Sequence, residues 1–142
     1  MMALFDTNVV LDVLLKREDF FKNSLASIIV ADYHNYQACI TSNAMADIYY
    51  IASKLIGKDK ARDLIEQTFG LFRVIDINEL DCLCAYELPK SEDFEDAIVY
   101  ASAKRNKVDC IITRDKRHYK DNEISIFTPE TFLETHEKPW ND

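Results

Sequence analysis

Apolar positions along this chain fall into short continuous runs and longer stretches spaced three or four apart, the pattern of strands separated by helices. Ala3 to Phe5 is a short buried run, followed at once by Asp6-Thr7-Asn8 and then by Val9, Val10, Val13 and Leu14 at helical spacing. A second helix is expected over residues 19–34 and a second strand over 36–40. Thr41-Ser42-Asn43 then offers hydroxyl and amide caps for a helix running to about Gly57. A helix over 59–69 with Gly70 as its stop leads to a strand over 71–75, and two more helices are expected at 78–88 and 93–105. Val108 to Thr113 is a β-branched run that reads as a strand, trailed by a charged turn from Arg114 to Lys120. Residues 123–127 suit an edge strand. Thr128-Pro129-Glu130 sets a capping hydroxyl before a proline at the first helical position, so a short helix closes the domain. Strands separated by helices pair in parallel through crossovers, which predicts a three-layer α/β/α sheet fold. The expected organisation is one domain over 1–135 and a tail over 136–142.

Composition narrows the class. A chain of 142 residues, 48% apolar and 30% charged, suits one domain with its own core, and no apolar run approaches the roughly 20 residues of a membrane span. The run Ala3-Leu4-Phe5 meets Asp6 immediately, which leaves no room for a secretion signal and predicts a soluble, cytoplasmic protein. Cys39, Cys82, Cys84 and Cys110 include no C-x-x-C pair, so neither structural zinc nor disulfides are expected. The net charge of −8 argues against a general positive field for nucleic acid, and any such contact must be local. With Gly57 and Gly70 as the only glycines, there is no glycine-rich dinucleotide loop. The acid-rich first loop and late lysine of a phosphorylated receiver domain are missing as well.

The acids carry the candidate chemistry. In open parallel sheets the ligand crevice lies beyond the carboxyl ends of the strands. Asp6 follows the first strand directly, and Asp115 stands just beyond the Val108 to Thr113 strand, so the two share a rim if those strands are neighbours. Asp47 falls on the flank of an apolar arc of Met45, Ile48, Ala52 and Leu55. Asp93 and Asp96 share one side of their helix, Phe94, Ala97, Ile98 and Ala101 form its buried face, and Glu95 is placed on the opposite flank and excluded. Taken singly, Asp6 and Asp93 are equally helix caps, Asp115 a turn residue and Asp47 a solvated acid. Together, acids at one end of a sheet repel one another unless a cation is present, which points to a metal site at Asp6, Asp47, Asp93, Asp96 and Asp115. Hard oxygen ligands favour Mg²⁺ or Mn²⁺. Arg114, Lys116, Arg117 and His118 can meet phosphate, and His118 can shuttle a proton or simply sit at the surface. Tyr50 and Lys54 extend the Asp47 flank as a line for stacking and phosphate contact with single-stranded RNA, or as ordinary surface. Lys104, Arg105 and Lys107 complement the far end of the Asp93 helix.

The ordered segments Phe5-Asp6-Thr7-Asn8-Val9-Val10-Leu11-Asp12, Asp93-Phe94-Glu95-Asp96-Ala97 and Ile111-Ile112-Thr113-Arg114-Asp115 resemble the PIN-domain family, especially its VapC-like bacterial branch. The resemblance runs from the first strand to Thr128-Pro129-Glu130. It implies a five-stranded parallel sheet, a metal-dependent endoribonuclease acting on RNA, a homodimer and, for the toxin branch, a small antitoxin protein as partner. Asp6, Asp96 and Asp115 align with the family's metal-site acids, with Asp47 where many members carry Glu. His118-Tyr119 stands where many members show Asp-Phe, so that extra acid has no counterpart, and Asp93 is an auxiliary candidate. On this resemblance Asp6, Asp47, Asp96 and Asp115 are the catalytic set; Thr7, Asn8 and Thr113 hold carboxylates or waters in place, or cap their own turns. The rival reading is a non-catalytic PIN-like module that binds RNA or protein.

Overall fold

The computed structural model describes residues 1–88, 93–119 and 123–141. Five strands, β1 (Met2–Phe5), β2 (Gln37–Thr41), β3 (Arg73–Ile75), β4 (Cys110–Ile112) and β5 (Ser125–Phe127), form one all-parallel sheet in the order β3-β2-β1-β4-β5. Among the described residues seven α-helices connect and close them: α1 (Thr7–Leu14), α2 (Phe21–Tyr33), α3 (Ser42–Ile56), α4 (Lys58–Leu71), α5 (Glu79–Tyr86), α6 (Phe94–Arg105) and α7 (Pro129–Thr135).

Because side chains alternate along a strand, the two faces of the sheet feed separate cores. Ala3, Phe5, Ile40, Cys110 and Ile112 point to one face, where they meet Val9, Val10, Ile28, Ile48 and Phe132 of α1, α2, α3 and α7. Leu4, Cys39 and Ile111 point to the other and meet Tyr100 and Ala103 of α6. This is the expected three-layer α/β/α arrangement. No described helix is long and apolar enough to cross a membrane.

Helix starts follow the side-chain caps that the sequence offers. Thr41 caps α3, Asn78 and Asp81 form a reciprocal capping box on α5, Asp93 caps α6, and Thr128 pairs with Thr131 at α7. Gly57, with φ of 87°, makes the tight joint between α3 and α4, a conformation that favours glycine.

Several expectations are corrected. Gly70 does not stop α4; it lies inside the last turn, and the chain leaves the helix at Phe72, whose buried ring packs edge-on to Phe5 at 5.6 Å. Core packing, not glycine, sets that boundary. The fourth strand is only Cys110–Ile112, because Val108 turns into the α6 side of the core instead of pairing. Leu55 and Phe94, assigned to buried arcs, are 66% and 52% exposed. Within the segment expected as a tail, His136 stacks on Phe132 at 4.0 Å, and His34 Nε2 meets the Glu137 carbonyl at 2.7 Å. The charged turn contains a 3₁₀ turn at Lys116–His118; Lys120, its expected end, and the side chain of His118 lie outside the described residues.

Candidate metal centre

The order β3-β2-β1-β4-β5 sends the chain to opposite sides of β1, so the topological switch lies between β1 and β4. Phe5 pairs with Ile112, and the Asp6 amide continues the ladder onto the Ile112 carbonyl at 2.9 Å. Asp6 and Thr113 therefore leave the sheet side by side. The Thr113 hydroxyl donates to Asp6 Oδ2 at 2.9 Å, and the Thr7 amide donates to Asp6 Oδ1 at 2.9 Å. Both carboxylate oxygens are oriented, and each keeps a second lone pair for another partner.

A pocket of about 320 Å³ opens at this point. Its walls include Asp6, Thr7 and Asn8 from the β1 end, Thr41, Asn43 and Asp47 from the start of α3, and Asp93, Glu95 and Asp96 from the start of α6. Ile51, Ile98 and Val99 supply its apolar side. Four of the expected acids, Asp6, Asp47, Asp93 and Asp96, are thus brought together. Asp93 doubles as a cap, accepting the Asp96 amide at 3.0 Å.

Asp115 stands one hydrogen-bonded step outside this wall: its amide donates to Thr113 Oγ1 at 3.3 Å, and Thr113 reaches Asp6. The Asp115 carboxylate receives Arg117 in a fork, Nε at 3.0 Å and Nη2 at 2.8 Å. Glu95, excluded on helical angle, does line the pocket. The first turn of α6 faces the crevice, so an acid there contributes whichever flank it occupies. Thr41 and Asn43 were read only as caps, and they too belong to the wall.

Behind the pocket lies a charged network that patterning alone did not bring forward. Asp12 is completely buried. It accepts from Arg17 Nη1 at 3.4 Å and the Ser24 hydroxyl at 3.1 Å, and Arg114 Nε lies 3.2 Å from it as an ion pair without hydrogen-bond geometry. Arg17 also donates to the Asn8 side chain at 3.3 Å, and Arg114 lies 4.0 Å over the Phe20 ring. Arg114 is therefore committed to Asp12 rather than presented to phosphate, and Arg117 is committed to Asp115. The available signal was an acid at position 12 in the middle of the apolar arc Val9, Val10, Val13, Leu14. A charge on a core-facing stripe requires a partner.

A divalent cation fits this donor set. The acids that line the pocket are the hard oxygen donors that such a cation prefers, although among the described residues no three His, Cys, Asp or Glu side chains form a group that could hold an ion. Arg105 forks onto Asp81 at 2.9 and 3.0 Å, and these hydrogen bonds hold the Asp81 carboxyl below its usual range despite the opposing effect of burial. Burial pushes the thiols of Cys39 and Cys110 up to about 12, while Cys84 is exposed.

Comparison with known proteins places this geometry. Ribonuclease VapC1 of Aquifex aeolicus (strain VF5) is 28% identical over 140 residues, which is 96% of this chain and 93% of that protein. The fold is similar to a chain of VapBC2 from Rickettsia felis, solved bound to a promoter DNA fragment, with TM-score 0.68 at 16% identity over 90% of this chain and 98% of that one. It is also similar to VapC20 of Mycobacterium tuberculosis, described as a sarcin-ricin loop cleaving toxin, with TM-score 0.65 at 10% identity over 86% and 98% of the two chains. The family model of the PIN domain matches residues 2–117, nearly all of the sheet and the whole of the acid-lined pocket, and this chain belongs to the PIN-domain family.

Proposed function

We propose that this protein is a divalent-metal-dependent endoribonuclease, the toxin of a toxin–antitoxin pair, acting on cytoplasmic RNA. The observation that carries the reading is the convergence of Asp6, Asp47, Asp93 and Asp96 on one pocket at the switch point of the sheet. The relative named as a ribonuclease and the fold shared with VapBC proteins support it.

Asp6 and Asp96 are the residues assigned to hold the cation, Mg²⁺ or Mn²⁺, with Asp47, Asp93 and Asp115 reaching it directly or through water. Bound there, the ion supplies charge for the phosphodiester and lowers the pKa of a water. The chain's own residues orient the donors. Thr7 and Thr113 fix the plane of the Asp6 carboxylate, and Asp93 fixes the first turn of α6 and with it Asp96. Ile51, Ile98 and Val99 limit access of bulk solvent from the apolar side. Exposed Phe69 and Leu71 at the end of α4, and Leu80, Leu83 and Tyr86 on α5, are the apolar side chains available to an antitoxin or a second copy of the chain.

Cleavage of single-stranded RNA in Mn²⁺, with chelator as the blank, tests the reading. Asp6→Asn and Asp96→Asn are each expected to lower the rate by about 100-fold or more without unfolding the protein. Wild-type rates in both variants after identical purification would defeat it, and RNA binding without cleavage by the wild type would favour the non-catalytic module.

A further inference from the structure

The walls of the acidic pocket hold the carboxylates of Asp6, Asp47, Asp93, Glu95 and Asp96 and, among the described residues, no Lys, Arg or His. A phosphate that enters beside these acids is repelled unless a donor in the wall also holds it. The neutral polar side chains there are Thr7, Asn8, Thr41 and Asn43. Asn8 differs from the others in what stands behind it. Arg17 Nη1 donates to Asn8 Oδ1 at 3.3 Å, and a guanidinium has donors only, so the carboxamide turns its oxygen to Arg17 and keeps its NH2 on the other branch. Expected to hold a carboxylate or cap its own turn, Asn8 does neither among the described residues: the Thr7 amide and the Thr113 hydroxyl hold Asp6, and Asp6 itself caps α1. Asn8 is exposed at the pocket wall, which leaves its NH2 for a bound molecule.

The acceptor that suits this donor is anionic. Arg17 and Arg114 both lie within ion-pair distance of Asp12, at 3.4 and 3.2 Å, and among the described residues Asp12 is the only acid that either of them meets. Two guanidinium groups on one carboxylate leave one positive charge in excess. Through its hydrogen bond Arg17 draws electrons toward the Asn8 oxygen, which polarises the carboxamide and strengthens its N–H donors.

We infer that Asn8 is a substrate contact: its carboxamide donates to a non-bridging phosphate oxygen of single-stranded RNA at the rim of the metal pocket, and Arg17 is the positioning residue that orients the amide. The inference rests on the RNA reading above and supplies the local phosphate contact that a chain of net charge −8 needs.

The test compares the full chain as wild type, Asn8→Asp, Asn8→Ala, Arg17→Ala and the double alanine variant. Binding of a labelled single-stranded RNA in Mn²⁺ is read by stopped-flow anisotropy before any cleavage, Mn²⁺ binding by calorimetry without RNA, and folding by thermal melts. Asn8→Asp discriminates between roles. Aspartate keeps the shape and the oxygen that Arg17 bonds, and an acid suits the first turn of α1, so a purely structural Asn8 is replaced without loss. A phosphate donor is instead replaced by a like charge. Asn8→Asp should bind RNA about ten-fold more weakly or worse, the effect of one hydrogen bond to a charged group, with Mn²⁺ affinity and thermal midpoint not reduced. Arg17→Ala, in which Arg114 still compensates Asp12, should weaken RNA binding when Asn8 is present and add nothing to Asn8→Ala, as expected of a residue that acts through another. RNA binding at wild-type strength in Asn8→Asp overturns the inference, and so does a parallel loss of Mn²⁺ affinity, because Asn8 would then serve the cation and not the strand. Additive losses in the two alanine variants overturn the positioning role of Arg17. The nuclease reading fails separately: a wild type that binds RNA without cleaving it, with the Asn8→Asp loss intact, defeats that reading and upholds the contact, whereas a wild type that binds no RNA defeats both.

Discussion

Asp12→Asn tests whether the network behind the pocket holds the domain together. Asp12 has no exposed surface and compensates Arg114 and Arg17, whose side chains are 29% and 30% exposed. Removing one partner of a fully buried pair costs about 3–5 kcal/mol. Here the surviving arginines keep part of their surface in water, and the asparagine oxygen can still accept from Ser24 or one guanidinium, so the expected cost is about 2 kcal/mol. For a chain of this length that corresponds to a fall in Tm of roughly 8 °C. Scanning calorimetry at neutral pH in chelator reads it without metal. The control is Arg117→Ala, whose fork onto Asp115 is also an ion pair but leaves the arginine 90% exposed, so water screens it and the midpoint should not move. A wild-type midpoint for Asp12→Asn, or equal losses for the two variants, would refute the reasoning that burial decides which of these ion pairs contributes to stability.

Asp93→Ala should lose about 1 kcal/mol through the missing cap on α6, whereas Asp93→Asn should keep the cap and reduce only the stabilisation by Mn²⁺; thermal melts with and without the ion separate the two. The Asp81 carboxyl is lowered from 3.8 in the folded protein, so its contribution is present above that pH and lost as the pH falls through the lower folded value. Denaturant unfolding between neutral pH and acid should show that loss, and Asp81→Asn should flatten it. In thiol titration of the native protein, Cys84 should react first and Cys39 and Cys110 only on unfolding, since both are buried and held at about 12.

Local chemistry made most of the elements legible. Thr41, Asn78, Asp93 and Thr128 cap the helices that follow them because each carries a side-chain oxygen at the position where backbone amides lack partners. Parallel pairing followed from strands alternating with helices; the rule that binding crevices open at strand carboxyl ends pointed to Asp6 and Asp115, and helix-face positions to Asp47, Asp93 and Asp96, of which Asp115 stands outside the pocket wall. Periodicity misplaced Leu55 and Phe94, because a helix has an apolar stripe in sequence whether or not a neighbour covers its whole width. It also misplaced the end of α4, where the burial of Phe72 against Phe5 outweighed the preference of Gly70. What only the tertiary structure decided were the relations between distant residues. The pairing of Asp12 with Arg114 and the relay from Thr113 to Asp6 both depend on β1 and β4 lying side by side. One sequence records which residues can donate, accept or carry charge; which of them meet is set by the register of the strands and the depth at which each side chain is buried.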